Sequence, residues 1–106
     1  MFEKAESLHD VKEQMLKHGP EIVSYGVKSL AVFGSFARNE MTEISDIDIL
    51  VEFNRPIGLF EFARLKIYLS EILGREVDLV TSDALHKRMK ETILHEAVNV
   101  TPGLAH

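Results

Sequence analysis

Between Leu30 and Phe53 two apolar runs enclose a Gly-Ser turn and a pair of aspartates, and no other stretch narrows the architecture as much. Leu30 to Phe33 ends in Gly34-Ser35. Ten residues after Ser35, Asp46-Ile47-Asp48 opens a second apolar run. Short apolar runs bounded by turn residues read as strands. Residues i and i+2 of a strand share a face, about 6–7 Å apart. Asp46 and Asp48 therefore lie on one face, and Ile47, Ile49 and Val51 on the other. Two crowded carboxylates repel, and one is pushed towards protonation unless a cation lies between them. Hard divalent cations such as magnesium take oxygen ligands and keep positions open for substrate phosphates.

The Gly-Ser turn supplies a complementary half. Glycine lets the backbone turn tightly and approach a ligand. Ser35 can cap a short helix from Phe36 to Asn39, whose free N–H groups would favour an anion. Arg38, three residues after Ser35, falls on the same side of that turn. Each part alone has an ordinary reading: a capped turn, a solvated strand start, a surface arginine. The combination and its spacing are much rarer.

The pattern G-S-x10-D-x-D, here Gly34-Ser35 followed by Asp46-Ile47-Asp48-Ile49-Leu50-Val51, resembles the signature of the DNA polymerase beta-like nucleotidyltransferase superfamily. It is most similar to the small prokaryotic branch, the minimal nucleotidyltransferase (MNT) proteins. The likeness runs from about Val27 to Val100 and takes in Gly58-Leu59-Phe60-Glu61 and Val77-Asp78-Leu79-Val80. Family members often read Ala-Arg-Gly after the turn, where this chain reads Ala37-Arg38-Asn39; asparagine tolerates a left-handed backbone, so the turn should survive.

A chain of 106 residues is expected to form one domain, here 1–100 with a loose tail over 101–106. With no cysteine there can be no disulfide and no thiolate zinc site, which suits a reducing cytoplasm. The N-terminus lacks a signal-peptide pattern, and no apolar run is long enough to span a bilayer. A net charge of −5 without a basic stripe argues against direct nucleic-acid binding. The basic run His86-Lys87-Arg88-Met89-Lys90 reads as the solvated side of a helix. The five histidines have no metal-ligand spacing, and no Walker A phosphate loop occurs.

The apolar periodicity predicts a helix from Glu3 to His18 and a short Pro-initiated helix from Pro20 to Tyr25. A strand follows over Val27 to Phe33, then a short helix over Ser35 to Asn39, a polar connection over Glu40 to Ser45, and a strand over Asp46 to Phe53. The strongest helix runs from Gly58 to Leu73; Phe60 and Ile67 fall off its core stripe and are read as widening the buried face, with a docking surface as the alternative. Glu76 to Val80 is a third strand, reached by a right-handed crossover to a parallel neighbour. Asp78, in its middle, is costly to bury unless paired or metal-bound, and is the third candidate carboxylate. A C-terminal helix through Leu85, Met89, Ile93 and Ala97 precedes a short extended segment over Val98 to Val100. The fold class is α/β, a mixed sheet packed with helices.

The resemblance implies the nucleotidyltransferase fold and transfer of AMP from ATP to a hydroxyl acceptor. It implies two magnesium ions held by Asp46, Asp48 and Asp78, a pair of metals about 4 Å apart clamping the attacking and leaving oxygens. Gly34 and Ser35 would hold the β- and γ-phosphates, and Arg38 the leaving pyrophosphate. MNT proteins typically pair with a HEPN-domain ribonuclease toxin and neutralise it by adding AMP to a tyrosine, which makes this chain the expected antitoxin. Two alternatives remain: a non-catalytic module that binds a nucleotide or neutralises a toxin by contact alone, and an aminoglycoside nucleotidyltransferase, for which the chain is short. Acidic charge and the Phe60/Ile67 face leave homodimerisation open.

Overall fold

The computed structural model describes residues 4–85 and 87–102. Its elements are α1 (Leu8–Lys17), α2 (Gly19–Ser24), β1 (Val27–Phe33), β2 (Ile47–Phe53), α3 (Leu59–Leu73), β3 (Val77–Thr81), a 3-10 turn (Ser82–Ala84), α4 (Lys87–Glu96) and β4 (Val98–Asn99). The four strands form one sheet in the order β3-β2-β1-β4. β1 pairs antiparallel with both β2 and β4, and β2 pairs parallel with β3, so the sheet is mixed. The parallel pairing expected of the strand–helix–strand unit is present, with α3 as the crossover.

Strand alternation divides the sheet faces. Ile47, Ile49 and Val51 are fully buried and join Leu30, Val32 and Val77 in one cluster with Val11 and Met15 of α1, Ile22 of α2, and Leu65, Leu69, Ile72 and Leu73 of α3. Three helices thus cover one face of the sheet. Asp48, Leu50 and Glu52 point the other way by the same alternation, and α4 lies against β1.

Several boundaries differ from the expected ones. α1 starts at Leu8, and the expected start at Glu3 lies outside the described residues; Ser7 caps the helix, its Oγ accepting from the Asp10 N–H at 3.2 Å, while Asp10 Oδ2 accepts from the Glu6 N–H at 2.9 Å. Pro20 lies in the first turn of α2, as expected. Phe60 is 85% exposed and Ile67 59%, so they do not widen the buried face of α3. Thr101, assigned to the tail, is tied to β1: its Oγ1 accepts from the Leu30 N–H at 3.0 Å, and Pro102 is buried. Residues 103–106 of the expected tail, and His86 of the basic run, lie outside the described residues. No helix among the described residues is long and apolar enough to cross a membrane.

Candidate active site

Asp46 immediately precedes β2, and Asp48 is its second residue. The parallel register places Asp48 beside Asp78, and the antiparallel register places it beside Phe33, the residue before Gly34. The sheet therefore brings together the Gly-Ser turn and all three aspartates. Asp46 and Asp78 are exposed, and Asp48 is half-buried. Burial pushes the Asp48 carboxyl above its ordinary value; the charges of Asp78 and Asp46 and a hydrogen bond with Asp78 push it further, while Arg38 opposes them.

Gly34 adjoins this group directly. Its φ is +73°, and a Cβ placed on it would lie 2.2 Å from Asp48 Oδ2. Glycine is thus required twice over, by the left-handed backbone and by the carboxylate packed against it. The segment after it is a single irregular turn rather than the expected helix from Ser35 to Asn39. Arg38 N–H donates to the Gly34 carbonyl at 3.1 Å and Glu40 N–H to the Ser35 carbonyl at 2.8 Å. Asn39 then takes φ +58°, the left-handed conformation asparagine tolerates, and ends the turn. Among the described residues, the N–H groups of Ser35, Phe36 and Ala37 donate to no backbone acceptor. The Gly34 N–H, by contrast, is already engaged by Glu96 Oε1 at 3.0 Å. Arg38 stands beside the turn, with its Nε donating to Glu40 Oε1 at 2.8 Å and its Nη1 to Glu96 at 3.1 and 3.2 Å.

Two residues of this site carry no local sequence signal. One is Glu96, at the end of α4. The Gly34 N–H holds its carboxyl below the usual range; burial opposes this, and the Arg38 guanidinium adds to the lowering. The other is Arg75, between α3 and β3 and only 8% exposed. Its guanidinium donates to the carbonyls of Thr42 at 3.0 Å, Ser45 at 2.8 Å and Ala5 at 2.5 Å, and lies 4.9 Å from the centre of the Phe36 ring. The polar connection leading to Asp46 is therefore clamped from beneath. Phe36, fully buried, links that clamp to the Gly-Ser turn.

Magnesium commonly takes one or two carboxylates, with water and substrate phosphate completing its shell. Asp46, Asp48 and Asp78 offer hard oxygens in that manner, and the upward shift of Asp48 marks a crowding that a cation would relieve. Among the described residues no three His, Cys, Asp or Glu side chains are gathered closely enough to hold an ion alone. The residues fit a metal bound jointly by protein and substrate oxygens.

The nucleotidyltransferase domain profile matches residues 9–100. A candidate protein adenylyltransferase of Methanocaldococcus jannaschii is 45% identical over 94 residues, covering 89% of this chain and 98% of its own. Protein adenylyltransferase MntA of Thermococcus cleftensis is 38% identical over 95 residues, covering 89% and 96%. Among solved structures, a candidate minimal nucleotidyltransferase superposes with a TM-score of 0.68 at 37% identity, over 82% of this chain and 93% of that one. At 17% identity the likeness is one of fold alone to the complex of a tri-AMPylated Shewanella oneidensis HEPN toxin with its MNT antitoxin, with a TM-score of 0.62 over 87% of this chain and 70% of that chain. A profile that spans nearly the whole chain, and relatives this similar over almost their full length, establish that the chain belongs to the nucleotidyltransferase domain family.

Proposed function

We propose that this chain is a protein adenylyltransferase that moves AMP from ATP onto a tyrosine hydroxyl of a HEPN-domain ribonuclease toxin, and is that toxin's antitoxin. The observation that carries the reading is the packing of the Gly-Ser turn onto the carboxylate group, with Asp48 beside Asp78 and a would-be Gly34 Cβ 2.2 Å from Asp48. A phosphate bound at the turn would be delivered directly to the carboxylates. The names of the relatives and the AMPylated state of the Shewanella toxin support the choice of AMP and of a protein acceptor.

In this reading the Ser35, Phe36 and Ala37 amides and the Ser35 hydroxyl bind the β- and γ-phosphates, and Arg38 neutralises charge on the departing pyrophosphate. Gly34 lets the backbone pass close to Asp48. The acceptor oxygen forms a bond to the α-phosphorus, the bond from that phosphorus to the α–β bridging oxygen breaks, and Asp78 takes the hydroxyl proton. Magnesium, held by Asp46, Asp48 and Asp78 together with substrate oxygens, would supply charge neutralisation and make the acceptor hydroxyl more acidic. Arg75 keeps the segment before Asp46 fixed, so the carboxylates are positioned before substrate arrives. ATP use and an absence of cysteine fit a cytoplasmic protein.

The test uses ATP labelled at the α-phosphate, magnesium, the purified chain and the HEPN-domain protein encoded beside it. Label should appear on the partner, and Asp46→Ala should abolish it while the two proteins still associate. A partner that is bound and silenced without gaining label would replace this reading with neutralisation by contact.

A further inference from the structure

Glu96 lies 48 residues beyond Asp48 and belongs to no motif, yet it is built into the turn. β1 and β4 pair through Ala31–Asn99 and Val32–Val98. In that register Glu96 stands opposite Gly34, but α4 occupies the chain there and the backbone ladder cannot continue. The side chain takes over: one oxygen, Oε1, accepts from both the Gly34 N–H at 3.0 Å and Arg38 Nη1 at 3.2 Å, and Oε2 accepts from Arg38 Nη1 at 3.1 Å. Its side chain is 24% exposed, against 48% for Arg38 and 64% for Glu40, the other partner of Arg38.

We propose that Glu96 is a positioning residue for the triphosphate: its carboxylate locks Arg38 to the Gly-Ser turn, so that the guanidinium meets the β- and γ-phosphates already oriented. The inference rests on the phosphate-binding reading of the turn given above. Without Glu96, the Arg38 guanidinium keeps only the exposed Glu40, two residues away on the same loop; the Arg38 N–H still donates to the Gly34 carbonyl, but that bond does not orient the side chain. A hydrogen bond between charged groups fixes both partners more firmly than a neutral one. Glu96 stays ionised because Gly34 and Arg38 both favour the carboxylate, so the lock holds at neutral pH.

The experiment compares wild type, Glu96→Gln, Arg38→Ala and the double variant, reading KM for ATP, kcat, and the affinity for AMP, which lacks the β- and γ-phosphates. Glu96→Gln keeps an acceptor for Gly34 and preserves the fold, checked by its melting temperature. The expected result is a rise of about tenfold in KM for ATP, the scale of one weakened charged contact. kcat should fall as well, because Arg38 also neutralises the departing pyrophosphate, and AMP binding should be unchanged. In the Arg38→Ala background, Glu96→Gln should add almost nothing, because it acts through the arginine. An unchanged KM, an equal loss for AMP, or an undiminished effect without Arg38 would overturn the role of Glu96 in an enzyme still active as wild type. A wild-type chain that neither binds ATP nor transfers label would instead remove the phosphate reading, and this inference with it.

Discussion

Replacing Gly34 by alanine strikes the contact between turn and carboxylates, and its cost divides into two parts. Holding alanine at φ +73° costs about 1–2 kcal/mol, since a side chain in that region crowds the following carbonyl. The new Cβ would also lie 2.2 Å from Asp48 Oδ2 and 3.1 Å from its Cγ. The carboxylate must move by roughly an ångström, leaving its preferred rotamer for about 1 kcal/mol more. Together these give about 2–3 kcal/mol, a melting temperature lowered by roughly 10–20 °C for a domain of this size. Transfer activity should fall with it, because Asp48 no longer stands beside Asp78. Thermal unfolding of four proteins separates the parts: wild type, Gly34→Ala, Asp48→Ala, and both together. With Asp48 reduced to alanine only its Cβ remains, at an ordinary 3.4 Å, so Gly34→Ala should then cost the backbone part alone. Equal cost in both backgrounds, or Gly34→Ala with wild-type kcat, would refute the packing argument.

Asp48 has a folded-state pKa above its unfolded value, so its stabilising contribution is complete below the unfolded pKa and is lost as pH rises through the folded one. Asp48→Asn should therefore melt a few degrees higher than wild type at pH 7 without magnesium, and show less loss of stability as pH rises, while magnesium should stabilise wild type more than the variant. Arg75→Met removes the guanidinium from the carbonyls of Ala5 and Ser45, while the Thr42 carbonyl keeps the Ser45 N–H, and should cost about 2–3 kcal/mol in denaturant unfolding, with Arg75→Lys recovering only part. Gly26→Ala, at φ +83°, has the flexible end of Arg55 as its nearest neighbour at 3.0–3.2 Å; it should lose about 1–2 kcal/mol in thermal unfolding and leave kcat unchanged. Phe60→Ala with Ile67→Ala should change stability by less than about 0.5 kcal/mol per site, because both side chains already face solvent.

How much was legible follows from what a local pattern can carry. Strand alternation placed Asp46 and Asp48 opposite Ile47, Ile49 and Val51, and the buried row at those three positions bears this out. The helix of α3 and the glycine ending it were equally plain, with Gly74 left-handed at φ +64°. Apolar spacing alone overextends α1 because it does not mark a start; Ser7 and Asp10, three apart, hold the capping signal. The residues after Gly34 suit a helix by themselves; burial of Phe36 beneath Arg75 and the left-handed Asn39 curtail it to a turn. Phe60 and Ile67 misled because periodicity reports which residues are apolar and says nothing of how wide the covered face is.

The strand order explains which parts of the site a motif can show. β1 and β2 lie at the centre of the sheet and follow one another in sequence, so the turn at the end of one and the carboxylates at the start of the other fall within a single stretch. The outer strands arrive later. β3 brings Asp78 beside Asp48 after a helical crossover, and the chain entering β4 brings Glu96 opposite Gly34. Arg75 enters just before β3 and reaches back to the segment that precedes Asp46. Asp78 could be suspected because an acid inside an apolar strand demands a reason. Glu96 and Arg75 sit in polar surroundings where a charge demands none, and only the sheet pairing reveals what each one holds. The central pair of strands thus carries the Gly-Ser turn and two of the carboxylates, while the outer strands add Asp78 and, at their approaches, the residues that fix the geometry. Substitution of Arg75 should accordingly change stability before it changes the chemical step, whereas Asp78→Asn should abolish that step.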